Sequence, residues 1–130
     1  MLNFANKAYE LAPSNTIVSL YYHLARASSF TANNDSAQAH DEWSYLIDEN
    51  SSNYWRLGYI YSLKGDVELA LENLETSFEK QNISIFRYLY DNDIDNVRND
   101  PRTKDRFAAF LEKVKATYPA LGKKKGEKDK

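Results

Sequence analysis

Residues Tyr54–Leu74 read YWRLGYIYSLKGDVELALENL, and the fold turns on how Gly58 is read. The surrounding aromatic run has helical spacing, yet glycine inside a helix costs roughly 1 kcal/mol relative to alanine. A helix over about 52–63 therefore needs something at Gly58 that offsets the cost. Gly65 suits the left-handed residue that follows a helix, and Asp66 suits the cap of the next one. The continuation VELALENLETSFEK predicts a second helix burying Val67, Ala70, Leu71, Leu74 and Phe78.

Upstream, the pattern predicts a helix with Phe4, Ala8 and Leu11 near one face, stopped before Pro13, with Ser14 or Asn15 capping the next. TIVSLYYHLARASSF carries a ladder of Val18, Tyr21, Leu24, Ala25 and Ser28. SAQAHDEWSYLIDEN, opened by Asp35 or Ser36, carries Ala39, Trp43, Leu46 and Ile47. Downstream, ISIFRYLY reads as a short helix and DNDIDNVRND as a helical turn between acidic caps. Asp100-Pro101 predicts the start of a last helix, with Phe107, Phe110 or Leu111, and Val114 inward, ending before Pro119. No strand-like alternation occurs, so an all-α class is expected.

The chain has 130 residues, enough for one domain, with 42% hydrophobic and 28% charged residues. This balance suggests neither disorder nor a membrane protein, and no apolar run or signal-peptide pattern suggests a membrane partner. Net charge is −2, which gives no drive toward nucleic acid. KKKGEKDK at 123–130 contributes +3, and 120–130 is predicted to be a disordered lysine-rich tail. Without cysteine there are no disulfides, thiolate nucleophiles or cysteine–zinc sites. Ten tyrosines, six phenylalanines and two tryptophans against three prolines and four glycines suggest helices packed through large side chains.

The helix pairs are related at an interval of 31: Asp35 and Asp66, Ala39 and Ala70, Trp43 and Leu74. Tyr54-x-x-Leu57-Gly58-x-x-Tyr61 followed by Ala70-x-x-x-Leu74 resembles the tetratricopeptide repeat. Tyr54 replaces the usual first tryptophan, and Ser77 stands where alanine is usual. The resemblance implies antiparallel helix pairs stacked as a right-handed α-solenoid over 1–119. Residues 1–15 would be a partial repeat and 51–82 the best-matching one. Residues 17–50 would be a degenerate repeat, with Leu24-Ala25 for Leu-Gly and a loop stretched by Asn33-Asn34. Residues 83–119 would be a closing segment that caps the stack with a C-terminal helix. It also gives Gly58 a reason: the missing side chain admits the partner helix near Ala70. Tyr54, Leu57, Tyr61, Leu71 and Leu74 can then pack around the gap, each burial contributing about 1.5–3 kcal/mol.

The closing run has a second resemblance. Ile94, Val97-Arg98, Asp100-Pro101-Arg102 and, displaced by an insertion, Phe107 resemble a segment that follows the last repeat in bacterial multidomain proteins. This implies a C-terminal module of something larger, attached to an enzyme, a regulator or another domain.

No catalytic chemistry is expected. His23 and His40 lack the spacing of a metal site, Glu68, Glu72, Glu75 and Glu79 share one solvated helical face, and Asp91, Asp93 and Asp95 look like turn chemistry. DNDIDNVRND lacks the glycine and closing glutamate of a calcium loop. No cofactor and no metal are expected. From the family, the concave groove would be lined by Ser52, Trp55, Tyr59 and Ser62 in the best repeat, and by Tyr22, Arg26 and Ser29 in the looser one. Tyr22, Arg26, Trp55, Tyr59 and Ser62 are the candidate partner-binding residues, since exposed Trp, Tyr and Arg dominate binding hot spots. The alternative is that Trp55 and Tyr59 pack under the closing helix against Phe86 or Tyr90. Trp55 and Tyr59 also replace the lysine and asparagine of a carboxylate clamp, which implies an apolar or aromatic-anchored partner. The expected role is a non-catalytic interaction or scaffold module for a peptide or domain. The alternatives are a regulatory domain and a homodimerising one.

Overall fold

The computed structural model describes residues 2–12 and 14–118, with side chains from Asn6 onward, and every regular element among them is helical. The helices are α1 (Leu2–Leu11), α2 (Thr16–Ala32), α3 (Ser36–Glu49), α4 (Tyr54–Lys64), α5 (Val67–Lys80), α6 (Ile85–Tyr90), α7 (Asp95–Asn99) and α8 (Lys104–Ala116), with a 3-10 turn at Asn92–Ile94. They form two compact units, Met1–Asn53 and Tyr54–Lys130. The expectations for Phe4, Pro13, Pro119 and the tail over 120–130 lie outside the described residues.

In the first unit α2 packs on both α1 and α3. The Asn15 side chain accepts from the amides of Ile17 and Val18, both at 3.0 Å, and so starts α2. At the far end Asn34 takes a left-handed conformation, φ 60°. This lets the Asp35 amide reach Phe30 O at 2.9 Å and the Asn34 amide reach Thr31 O at 3.1 Å, the bonding pattern that closes a helix on a left-handed residue. The buried residues of α2 are Leu20, Leu24, Ala25 and Ala27, of which Leu24 and Ala25 match the sequence expectation, and α2 packs on α3, whose buried residues are Ala39, Trp43 and Leu46. Trp43 Nε1 donates to Thr31 Oγ1 at 3.2 Å, and Thr31 donates in turn to Ala27 O at 2.8 Å.

Two sequence expectations are corrected here. Tyr21 and Ser28 are exposed and Leu11 is 80% exposed. Leu20, Leu24, Ala25 and Ala27 take the inward positions of α2, which leaves the Tyr21 ring outward. The loop at Asn33-Asn34 is also not stretched. Its bonds match those at Gly65, so the interval of 31 runs through the turn. Ala27, rather than Ala25, then stands in register with Gly58.

In the second unit Gly65 has φ 97°. The Asp66 amide reaches Tyr61 O at 2.9 Å and the Gly65 amide reaches Ser62 O at 3.1 Å. Asp66 occupies the cap position of α5 but makes no side-chain capping bond. Its carboxylate instead pairs with Lys64 at 2.6 Å. At the open end of this hairpin, Gln81 Oε1 accepts from the amide of Trp55 at 2.8 Å, satisfying one of the donors that the first turn of α4 leaves unpaired.

Between these ends the helices cross at Gly58. A Cβ there would lie 2.8 Å from Leu74 Cγ, closer still to Leu74 Cδ2, and 3.6 Å from Ala70 O. The space that glycine leaves is filled by Leu74, which is fully buried with Ala70 and Leu71. Burial of such side chains contributes about 1.5–3 kcal/mol each and offsets the helical cost of the glycine.

The rest of this unit folds over α4 and α5. Tyr88 of α6 meets Trp55, Phe78 and Phe110 edge-to-face, at centroid distances of 5.3, 6.1 and 5.5 Å. Its hydroxyl donates to Ser77 Oγ at 2.7 Å, and Ser77 donates to Leu74 O at 2.7 Å. The relay gives the buried hydroxyl of Ser77 both a donor and an acceptor. Arg98 reaches the carbonyls of Tyr88 and Asp91 at 3.4 and 3.3 Å and lies over the Phe107 ring, so it closes the end of α6. The helix expected at Asp100-Pro101 starts slightly later, at Lys104, after a turn. The Asp100 carboxylate accepts from the Arg102 amide at 2.8 Å and from its guanidinium at 3.0 Å, which holds that carboxyl below the usual carboxylate range. Thr103, buried, donates to Val97 O at 2.7 Å.

Asp93 is the exception among these acids. Burial, reinforced by Asp91 and Asp95, raises its pKa above the usual carboxylate value. A raised folded-state pKa means that the charged form opposes folding. The penalty is absent where both states are protonated and grows as pH rises through the folded-state value. Asp93→Asn is therefore expected to raise the melting temperature at neutral pH and to have no effect near about pH 3. Equal shifts at both pH values would contradict this.

Candidate functional site

Of the five residues assigned to one groove, Tyr22 and Arg26 belong to the first unit and Trp55, Tyr59 and Ser62 to the second. Trp55, Tyr59 and Ser62 are 3%, 5% and 0% exposed and belong to the core of the second unit, not to a surface. Trp55 stands edge-on to Tyr59 and Tyr88, with the Arg87 guanidinium 5.9 Å from its ring. Its indole N–H has no hydrogen-bond partner among the described residues, and ring contacts hold the side chain. Asn96 Nδ2 donates to the carbonyl of Ser62 at 2.8 Å. The covering ring is Tyr88, not Phe86 or Tyr90, which remain 55% and 72% exposed. Ser52 is exposed outside any helix and Ser29 is half-buried on α2.

Tyr22 and Arg26 are brought together with two residues whose spacing gave no signal, His23 and Glu42. One Glu42 oxygen accepts from Arg26 Nε at 2.7 Å and the other from His23 Nδ1 at 2.7 Å. Arg26 Nη1 also donates to the Tyr22 hydroxyl at 3.2 Å. The Glu42 carboxylate raises the Arg26 pKa, so the guanidinium stays charged. The Tyr22 ring stacks on Tyr9 of α1 at 4.2 Å, and the His23 ring lies 4.5 Å from that of Tyr45. The network thus ties α1, α2 and α3 together.

Beside it lies an open groove of about 340 Å³ between α2 and α3. Its α2 wall is His23, Arg26 and Phe30, and its α3 wall is Gln38, Asp41, Glu42 and Tyr45. Arg26 is 36% exposed at its side chain, Tyr45 is 44% exposed and Asp41 is exposed. Arg26 and Glu42 lie equally far on either side of Asn34. Folding α2 against α3 at that turn is the signal that could have paired them.

Among the described residues no cluster of three or more histidines and carboxylates is placed to hold a metal ion, and no helix is long and apolar enough to cross a membrane. No family model matches the chain, and no curated protein or solved structure matches it.

Proposed function

We propose that the chain is a non-catalytic protein-interaction module of tetratricopeptide type, its helix pairs stacked as a solenoid and closed by the α6–α8 segment. One observation carries the reading. Two helix hairpins share a turn with the same bonds, at Asn34 and Gly65, and bury small and large residues in the same register. Ala27 and Trp43 of the first correspond to Gly58 and Leu74 of the second at the interval of 31, and at Gly58 the small residue lies directly against the large one. With Trp55, Tyr59 and Ser62 in the core, the docking face falls to the α2–α3 groove, where Arg26 and Tyr45 are accessible. An accessible arginine and tyrosine on rigid helices are the residue types that anchor partners.

Selection of a random-peptide display library on the intact chain tests this. The expected result is a consensus motif that is lost on an Arg26→Ala/Tyr45→Ala variant retaining its helical circular dichroism. No motif, or the same motif on the variant, would contradict the reading.

A further inference from the structure

The charge of the first unit points to the chemistry of the partner. Residues 1–53 hold two basic side chains, Lys7 and Arg26, against Glu10, Asp35, Asp41, Glu42, Asp48 and Glu49. Arg26 is committed to Glu42. Asp41, Asp48 and Glu49, all exposed on α3, have no basic partner among the described residues of this unit. The second unit differs in that several of its acids pair with cations, as in Glu75 with Arg106, Glu79 with Lys113, and Asp95 with Arg98. Of Asp41, Asp48 and Glu49, Asp41 lines the α2–α3 groove. Asp41 and Tyr45 stand one helical turn apart on its α3 wall, with Phe30 on the α2 wall.

We propose that this groove docks a basic peptide segment of a partner protein, taking a lysine or arginine side chain between the Asp41 carboxylate and the Tyr45 ring. An aromatic face beside a carboxylate is favourable for an ammonium or guanidinium group, since the ring quadrupole and the charge attract the same cation. Glu42, each of whose oxygens is already bonded by Arg26 or His23, positions the walls rather than receiving the ligand. Uncompensated charge along α3 raises the rate of encounter. This inference rests on the interaction-module reading and specifies its partner.

The test is fluorescence anisotropy of labelled octalysine and octaglutamate peptides with the intact chain at low ionic strength. Octalysine is expected to bind and octaglutamate not. Asp41→Asn and Tyr45→Leu are each expected to weaken octalysine binding about fivefold, the scale of an exposed ion pair or cation–ring contact. Glu72→Gln, an equal change of charge at an exposed site on α5, is expected to leave binding unchanged. Asp41 is exposed, so its variant keeps the fold, and Tyr45→Leu keeps the bulk while removing the ring face. If Asp41→Asn and Glu72→Gln weaken binding equally, or Tyr45→Leu has no effect, the attraction is general and the proposed pocket is wrong. Absence of octalysine binding also overturns the inference. A peptide selection that then converged on an acidic or apolar motif would leave the interaction reading standing without it.

Discussion

Gly58→Leu is expected to destabilise the second unit by about 3 kcal/mol or more, the upper range for overpacking a close crossing. The argument is steric. A Cβ at this position already falls within 3 Å of Leu74, and Leu74 is fully buried, so a leucine side chain here must displace it within the core. Gly58→Ala sets two effects against each other. Alanine recovers roughly 1 kcal/mol of helix propensity but places its methyl against Leu74, so a net loss of about 1 kcal/mol is expected. Lys64→Ala, at an exposed position, should stay within about 0.5 kcal/mol of the parent. Trp43 and Trp55 report one unit each, so a Trp43→Phe background lets Trp55 fluorescence follow the second unit alone. Similar melting temperatures for Gly58→Leu and Lys64→Ala would contradict the close crossing.

Tyr88→Ala is expected to cost about 3–5 kcal/mol, the range for deleting a large buried aromatic side chain. Tyr88 is fully buried and joins Trp55, Phe78 and Phe110, so its loss opens the centre of the second unit. The hydroxyl relay makes a sharper forecast. Burial raises the Tyr88 pKa while the Ser77 bond opposes that rise, so the phenol stays neutral and acts as a donor. Ser77→Ala leaves that donor buried without its acceptor and should cost about 1–3 kcal/mol. Tyr88→Phe removes the donor, and the Ser77→Ala/Tyr88→Phe double variant should be more stable than additivity of the single variants allows. Strict additivity in denaturant melts would show that the relay is not coupled.

Much of this architecture was legible because its signals are local. Gly65 and Asn34 mark turns that need left-handed residues, and the stripes Ala39–Trp43–Leu46 and Val67–Ala70–Leu71–Leu74 follow helical periodicity directly. The stripe on α2 is legible only in part: Leu24 and Ala25 are buried, whereas tyrosine reads as apolar although the Tyr21 ring lies at the surface. The covered state of Trp55 and Tyr59 had a signal in α4 itself. The buried residues Trp55, Leu57, Gly58, Tyr59, Ile60 and Ser62 fall on every side of α4, and a helix with apolar residues all round is covered all round. His23 and Glu42 could not be found by spacing along one helix, because their contact crosses the hairpin. The start of α8 moved to Lys104 because Asp100 spends its carboxylate on the turn through Arg102.

The most direct measurement is chemical-shift mapping of a selected peptide on the isotope-labelled intact chain. The account predicts that perturbed amides concentrate between Arg26 and Tyr45, while those around Trp55, Tyr59 and Ser62 stay in place. Perturbations centred on α4, or spread evenly over the chain, would contradict it.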